Sequence, residues 1–144
     1  MRHHYLDTNA CIDYLRGESA ELSRRLLAVA PSSVKIASIV EAELRLGAAK
    51  SRDPVRATAV VDAFLAPYEV VPFCTRAAKT YAEVRADLEH RGQPIGPNDL
   101  VLCATVLVQK GVLVTHNTRE FDRVTGLVVE DWTLAESPRR GKRR

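Results

Sequence analysis

His4-Tyr5-Leu6-Asp7-Thr8-Asn9 passes, with no intervening turn, from a short apolar run into a stretch of helical period that ends near Gly17. A strand feeding straight into a helix is half of a β–α–β unit, and the same change of period recurs down the chain. Ser19, Glu21 and the spacing of Leu22, Leu26 and Val29 predict a second helix, stopped by Pro31. Val34-Lys35-Ile36-Ala37 alternates like a half-buried strand, Ile39 to Ala49 returns to helical period, and Asp53 caps a helix opened by Pro54. Glu69-Val70-Val71 reads as a strand closing at Pro72. Thr75 to Arg91 predicts a long amphipathic helix with Ala78, Tyr81, Ala82, Val84 and Leu88 facing inward and Gly92 as its stop. Gly96-Pro97-Asn98 opens an almost wholly apolar helix, Leu100 to Val108, and Val112 to Thr115 and Leu127 to Glu130 supply the last two strands. Helices between successive strands imply right-handed crossovers. The expected fold is α/β, an α/β/α sandwich with a mainly parallel central sheet.

The chain's 144 residues suit a single domain, expected over residues 1–134, with 135–144 a flexible basic tail. A hydrophobic fraction of 46% with 27% charged residues excludes a disordered chain. Lys and Arg outnumber Asp and Glu by 21 to 18, but Arg139, Arg140, Lys142, Arg143 and Arg144 are five of those cations. Without them the balance is 16 to 18, so the body carries about −2 and is no continuous basic surface. The tail suits either sequence-independent phosphate contacts on RNA or plain solubility, and no aromatic residue interrupts it. Cys11, Cys74 and Cys103 form no CxxC pair and are odd in number, which argues against a disulfide framework and a cysteine-rich zinc site. No leader-like apolar segment opens the chain, and no run approaches the roughly 20 apolar residues of a membrane span. A cytoplasmic location is expected.

Several acids stand where a packed fold would not ordinarily put them. Asp7 directly follows the first strand, where it serves equally as a helix N-cap. Glu43 has Ile39, Val40, Leu46 and Gly47 at helical spacing, which puts a carboxylate on an apolar stripe unless an arginine pairs it. Glu41, by contrast, has Arg45 four residues on and reads as a solvated ion pair. Asp99 lies in the first turn of the apolar helix, where an acid also complements the helix dipole. Thr115, Asn117, Glu120 and Asp122 follow the fourth strand. In a parallel sheet these segments converge beyond the carboxyl ends of the strands. Three carboxylates crowd together unprotonated only with a compensating cation. Oxygen ligands without Cys or paired His favour Mg²⁺ or Mn²⁺, and a hard cation in an acidic cleft points to phosphoryl transfer.

From its beginning to about Trp132 the chain resembles PIN-domain ribonucleases of the VapC toxin type. The resemblance is carried by Leu6-Asp7-Thr8-Asn9, Ala42-Glu43-Leu44-Arg45-Leu46-Gly47 and Ile95-Gly96-Pro97-Asn98-Asp99, in that order. Thr115-His116-Asn117-Thr118-Arg119-Glu120-Phe121, Val124-Thr125-Gly126-Leu127 and Glu130-Asp131-Trp132 continue it. It implies a Mg²⁺- or Mn²⁺-dependent endoribonuclease of a toxin–antitoxin pair, cutting RNA, often tRNA, to 5′-phosphate and 3′-hydroxyl ends. Asp7, Glu43 and Asp99 would form the acidic core, with Asp7 and Asp99 carrying most metal contact and Glu43 orienting the attacking water. Thr8 and Asn9 would support Asp7. Many members carry a fourth acid after the fourth strand; here Asn117 occupies that place, with Glu120 three residues on as a source of the charge. A small VapB-like antitoxin and pairing into homodimers are the implied partners.

Two other readings remain open at this point. Asp7 after the first strand also suits a phosphohydrolase nucleophile, although Asn9 stands where such enzymes often carry a second aspartate. The amide at Asn117 also suits a binding module that kept the fold and lost turnover. His116 is expected to be a loop residue, Cys11 and Cys103 core thiols, and Trp132 packing for the last strand.

Overall fold

The structure, a computed structural model, describes residues 2–135. Five strands, β1 (His4–Leu6), β2 (Val34–Ala37), β3 (Glu69–Val71), β4 (Val112–Val114) and β5 (Val128–Glu130), pair in the order β3-β2-β1-β4-β5, all parallel. The helices are α1 (Thr8–Arg16), α2 (Ala20–Ala28), α3 (Ser38–Ala49), α4 (Pro54–Leu65), α5 (Thr75–His90), α6 (Pro97–Val108) and α7 (Thr118–Phe121). The chain therefore builds one half of the sheet outward from β1 and then returns to β1's other side with β4. That reversal creates a crevice at the carboxyl ends of β1 and β4.

Each element forms for a local reason. Asp7, Ser19 and Asp53 accept backbone N–H bonds at the starts of α1, α2 and α4. Gly17, at φ 66°, closes α1, and Gly92, at φ 70°, follows α5 in the left-handed region that glycine enters without cost. Central strand β4 is buried along its whole length, as is expected where helices cover both faces of a parallel sheet. In α6, Leu100, Leu102, Cys103, Ala104, Thr105 and Val106 are all buried, and the Thr105 hydroxyl donates to the Val101 carbonyl at 2.9 Å. Cys11 and Cys103 are core thiols, and Trp132 is buried against His4 with the Arg25 guanidinium over its ring.

Three expectations are corrected. In α5 the inward stripe is Ala77, Tyr81, Val84 and Leu88; Ala78 and Ala82 are exposed, because each lies one step round the helix from a position of that stripe. In α3 the buried stripe is Val40, Leu44 and Ala48, so Leu46 and Gly47 are exposed and Glu43 flanks the stripe, half-buried. The polar segment after β4 contains a helix, α7, with Asn117 at its N-cap and the Asn117 side-chain amide donating to the Glu120 carboxylate at 3.0 Å. The Arg139–Arg144 tail lies outside the described residues. Among those described, no helix is long and apolar enough to cross a membrane.

The entry to β4 is tight. A Cβ at Gly111 would lie 2.5 Å from the buried Tyr5 ring and 3.1 Å from the His3 carbonyl oxygen. Gly111→Ala is therefore expected to destabilise the fold by about 1–3 kcal/mol, read from the denaturant midpoint.

Candidate active site

Asp7 ends β1, and its N–H donates to the Val114 carbonyl across to β4. Its carboxyl is buried, at 5% exposure, and accepts the Ala10 N–H at 2.7 Å, with the Thr115 hydroxyl near enough to favour its charged form. The capping and site readings of Asp7 are therefore compatible: capping fixes the carboxyl at the crevice. Thr115, buried at the end of β4, also accepts the Asn117 N–H at 3.0 Å. Across the site, Glu43 accepts the Thr8 hydroxyl and, at 3.1 Å, the Asn98 amide. Asp99 follows Asn98 in the first turn of α6, where Glu120 is the strongest neighbouring charge acting on it.

These side chains form a polar circuit around the crevice. Hydrogen bonds link Thr8 and Asn98 to Glu43, and Asn117 to Thr115 and Glu120. Chain adjacency joins Asp7 to Thr8 and Asn98 to Asp99, and electrostatic interaction joins Asp99 to Glu120 and Asp7 to Thr115. Four segments that are distant in sequence thus meet at one rim. Glu43 is held by Thr8 and Asn98, not by the arginine that a purely structural role would call for, whereas Glu41 pairs with Arg45 at 2.8 Å as expected. Asn98 has a role its sequence position does not announce: it joins the first turn of α6 to α3. Asn9 is exposed in the first turn of α1. His116 is exposed, with Nδ1 2.9 Å from Asp131, outside the circuit.

The acids perturb one another. Burial, then the charges of Glu120, Glu43 and Asp7, push the Asp99 carboxyl up from 3.8 to about 6. Asp7 is also raised, chiefly by burial, with the Thr115 and Ala10 hydrogen bonds opposing and Asp13 and Glu43 adding repulsion. The Cys103 thiol is pushed up by burial first and then by Asp99 and Glu120.

These donors suit a hard cation that keeps most of its water. Among the described residues no three His, Cys, Asp or Glu side chains form a ready-made cage for an ion. Mg²⁺ asks for less, because it commonly takes one or two carboxylates and retains several waters. All the acids around the crevice present oxygen, and each raises the energy of its neighbours' negative charge, so a divalent cation would relieve all of them at once.

Beside the circuit, α1 and the α3–α4 hairpin enclose a groove of about 480 Å³. Ile12, Leu15, Leu44 and Val60 line its walls, Glu43 also lines it, and Arg16, Arg52 and Arg56 stand exposed around it.

The family model described as PIN domain matches residues 4–127. The chain belongs to the PIN domain family, on the branch of the VapC ribonucleases. It is 38% identical over 127 residues to the tRNA(fMet)-specific endonuclease VapC of Salmonella typhimurium, covering 88% of this chain and 96% of that one. It is 34% identical over 128 residues to Ribonuclease VapC2 of Rickettsia felis, covering 88% and 96%. Among solved structures, the DNA-bound VapBC of Salmonella typhimurium superposes with a TM-score of 0.86 at 37% identity, covering 92% of this chain and 99% of that one. VapBC2 of Rickettsia felis, bound to a promoter DNA fragment, gives 0.84 at 32% identity over 90% and 98%. The expected PIN-like sandwich and family are borne out.

Because the fold raises the Asp99 pKa, it favours the protonated carboxyl. The stabilisation that this proton supports is complete below about pH 4 and lost as pH rises through about 6. In metal-free protein, Asp99→Asn is therefore expected to gain stability relative to wild type across that interval. Denaturant midpoints at stepped pH check it; a constant difference between the two proteins contradicts the assignment.

Proposed function

We propose that this chain is a divalent-metal-dependent endoribonuclease, the toxin of a toxin–antitoxin pair, acting on tRNA. The observation that carries it is the convergence of Asp7, Glu43, Asp99 and Glu120 from four segments, close enough that the other three charges act on Asp99, on a VapC-type PIN domain. Asp7 and Asp99 would hold Mg²⁺, or Mn²⁺ in its place. When bound, the cation supplies water activation at neutral pH and screening of charge on the phosphate oxygens.

The chain's own groups then have distinct tasks. Glu43, fixed on both oxygens by Thr8 and Asn98, orients the attacking water and accepts its proton. Thr115 favours the charged form of the Asp7 carboxyl, and Asn117 holds Thr115 and Glu120 in turn. Glu120 would supply the negative charge that the amide of Asn117 lacks, which favours turnover over the binding-module reading. In-line attack on the phosphodiester would leave 5′-phosphate and 3′-hydroxyl ends. No observation separately favours the phosphohydrolase reading of Asp7. Two VapC relatives are named tRNA(fMet)-specific endonucleases, so that tRNA is the first substrate to assay.

The partner is a VapB-like antitoxin, as in the VapBC complexes that share the fold. Its docking surface is the groove beside α1: apolar walls suit the apolar face of a peptide, and Arg16, Arg52 and Arg56, which have no ion-pair partner among the described residues, suit acidic side chains flanking it.

Asp7→Asn, Glu43→Gln and Asp99→Asn are each expected to reduce tRNA cleavage by about 100-fold or more while the protein stays folded. Chelation should abolish wild-type cleavage, and Mg²⁺ or Mn²⁺ should restore it. Cleavage by Asp7→Asn and Asp99→Asn at the wild-type rate would remove the site assignment. Separately, reversing charge at Arg52 and Arg56 to Glu is expected to weaken antitoxin binding about tenfold or more and to leave free-toxin cleavage unchanged, as read by titration of inhibition.

A further inference from the structure

We propose that Arg91 and Arg123 form a reciprocal clasp that sets the separation of Asp99 and Glu120, which makes both arginines positioning residues for the site; the inference rests on the nuclease reading above. Arg91 follows α5 and Arg123 follows α7, so they belong to the two segments that carry those acids. Arg123 donates from Nη1 to the Pro94 carbonyl at 3.1 Å. Arg91 donates from Nη2 to the Arg123 carbonyl at 2.6 Å. Each segment thus offers one guanidinium and one carbonyl to the other.

Both ends of the clasp are anchored. Arg91 is gripped by Asp87 through Nε at 3.0 Å and Nη2 at 2.8 Å, and its Nη1 donates to Gln93 at 2.9 Å. The guanidinium is therefore fixed to the end of α5 before it reaches across. Pro94 lies five residues ahead of Asp99, with buried Ile95 between them. The Arg123 N–H donates to the Glu120 carbonyl at 3.2 Å, so Arg123 sits on the same turn as Glu120.

A clasp is needed here because the charges it serves repel. Asp99 and Glu120 carry like charge on these two segments, and like charges repel. Ile95, Phe121 and Val124 anchor the segments in the core, but apolar burial is non-directional. Two opposed hydrogen bonds are directional, because their partners are backbone carbonyls at defined positions. Neither arginine contacts an acid of the site, so the effect is on geometry alone.

The test uses the full chain and compares wild type with Arg123→Met and Arg91→Met, which keep bulk and lose the donors. Three readouts are taken: steady-state tRNA cleavage, Mn²⁺ titration of RNA-free protein, and hydrogen exchange over residues 93–100 and 118–124. Each variant is expected to lower kcat about tenfold with KM within about twofold, and to weaken Mn²⁺ binding several-fold. Losing the Arg123 side chain should also speed exchange in 93–100, on the opposite segment. Because both arginines serve one device, the double variant should lose little more than either single one. A raised KM with unchanged kcat would instead make these arginines RNA phosphate contacts and overturn the proposal. Unchanged exchange in 93–100 would overturn it whatever the activity. If wild type neither cleaves RNA nor binds Mn²⁺, the nuclease reading fails, and the exchange result still decides whether the clasp exists.

Discussion

Carboxylates brought close together in a half-buried crevice repel one another, and much of this molecule answers that repulsion. Asp7, Glu43, Asp99 and Glu120 come from four separate segments, and neighbouring groups hold them: the Ala10 N–H on Asp7, Thr8 and Asn98 on Glu43, and Asn117 on Glu120. The arrangement leaves negative charge concentrated, and it raises the Asp99 and Asp7 carboxyls. Under the proposed function, a cation would relieve that repulsion.

The parallel sheet makes this arrangement possible. All five strands deliver their carboxyl ends to the same side, and the reversal at β1 brings the ends of β1 and β4 next to each other. Asp7 and Thr115 are therefore neighbours as a consequence of register, since Leu6 pairs with Val114 and each is one residue earlier. The helices that start at that rim, α1, α3 and α6, add Thr8, Glu43 and Asn98 with Asp99. Their unpaired N–H groups also make it a favourable place for negative charge.

Much of this was legible in the residues alone, for identifiable reasons. Strands as short as Glu69–Val71 were readable because Pro72 ends one sharply and helical period resumes after it. Asp7, Glu43 and Asp99 stood out because each broke an otherwise apolar or capping pattern. Periodicity could not say which side of an amphipathic helix touches its neighbour when small residues stand on both: Ala77 and Ala78 differ by one step, and only contact with α6 decides between them. The linking residues were harder still. Asn98 and Thr115 are ordinary polar residues at helix and strand ends, and their significance lies in partners many positions away. Glu120 carried a local clue, its place three residues after Asn117, within side-chain reach in the first turn of α7.

Glu43 connects the two surfaces. It belongs to the candidate site through Thr8 and Asn98, and it lines the groove between α1 and the α3–α4 hairpin. Under the proposed function, a segment docked in that groove ends beside the carboxylates. A cationic group at its tip would there compete with the metal for the same negative potential. The apolar walls and the rim arginines would supply affinity without touching the acids, and the tip would supply inhibition. Binding strength and silencing are thus separable in this architecture: the groove can change its preference for a partner through Arg52 and Arg56 while the acids, fixed by the circuit, keep their chemistry.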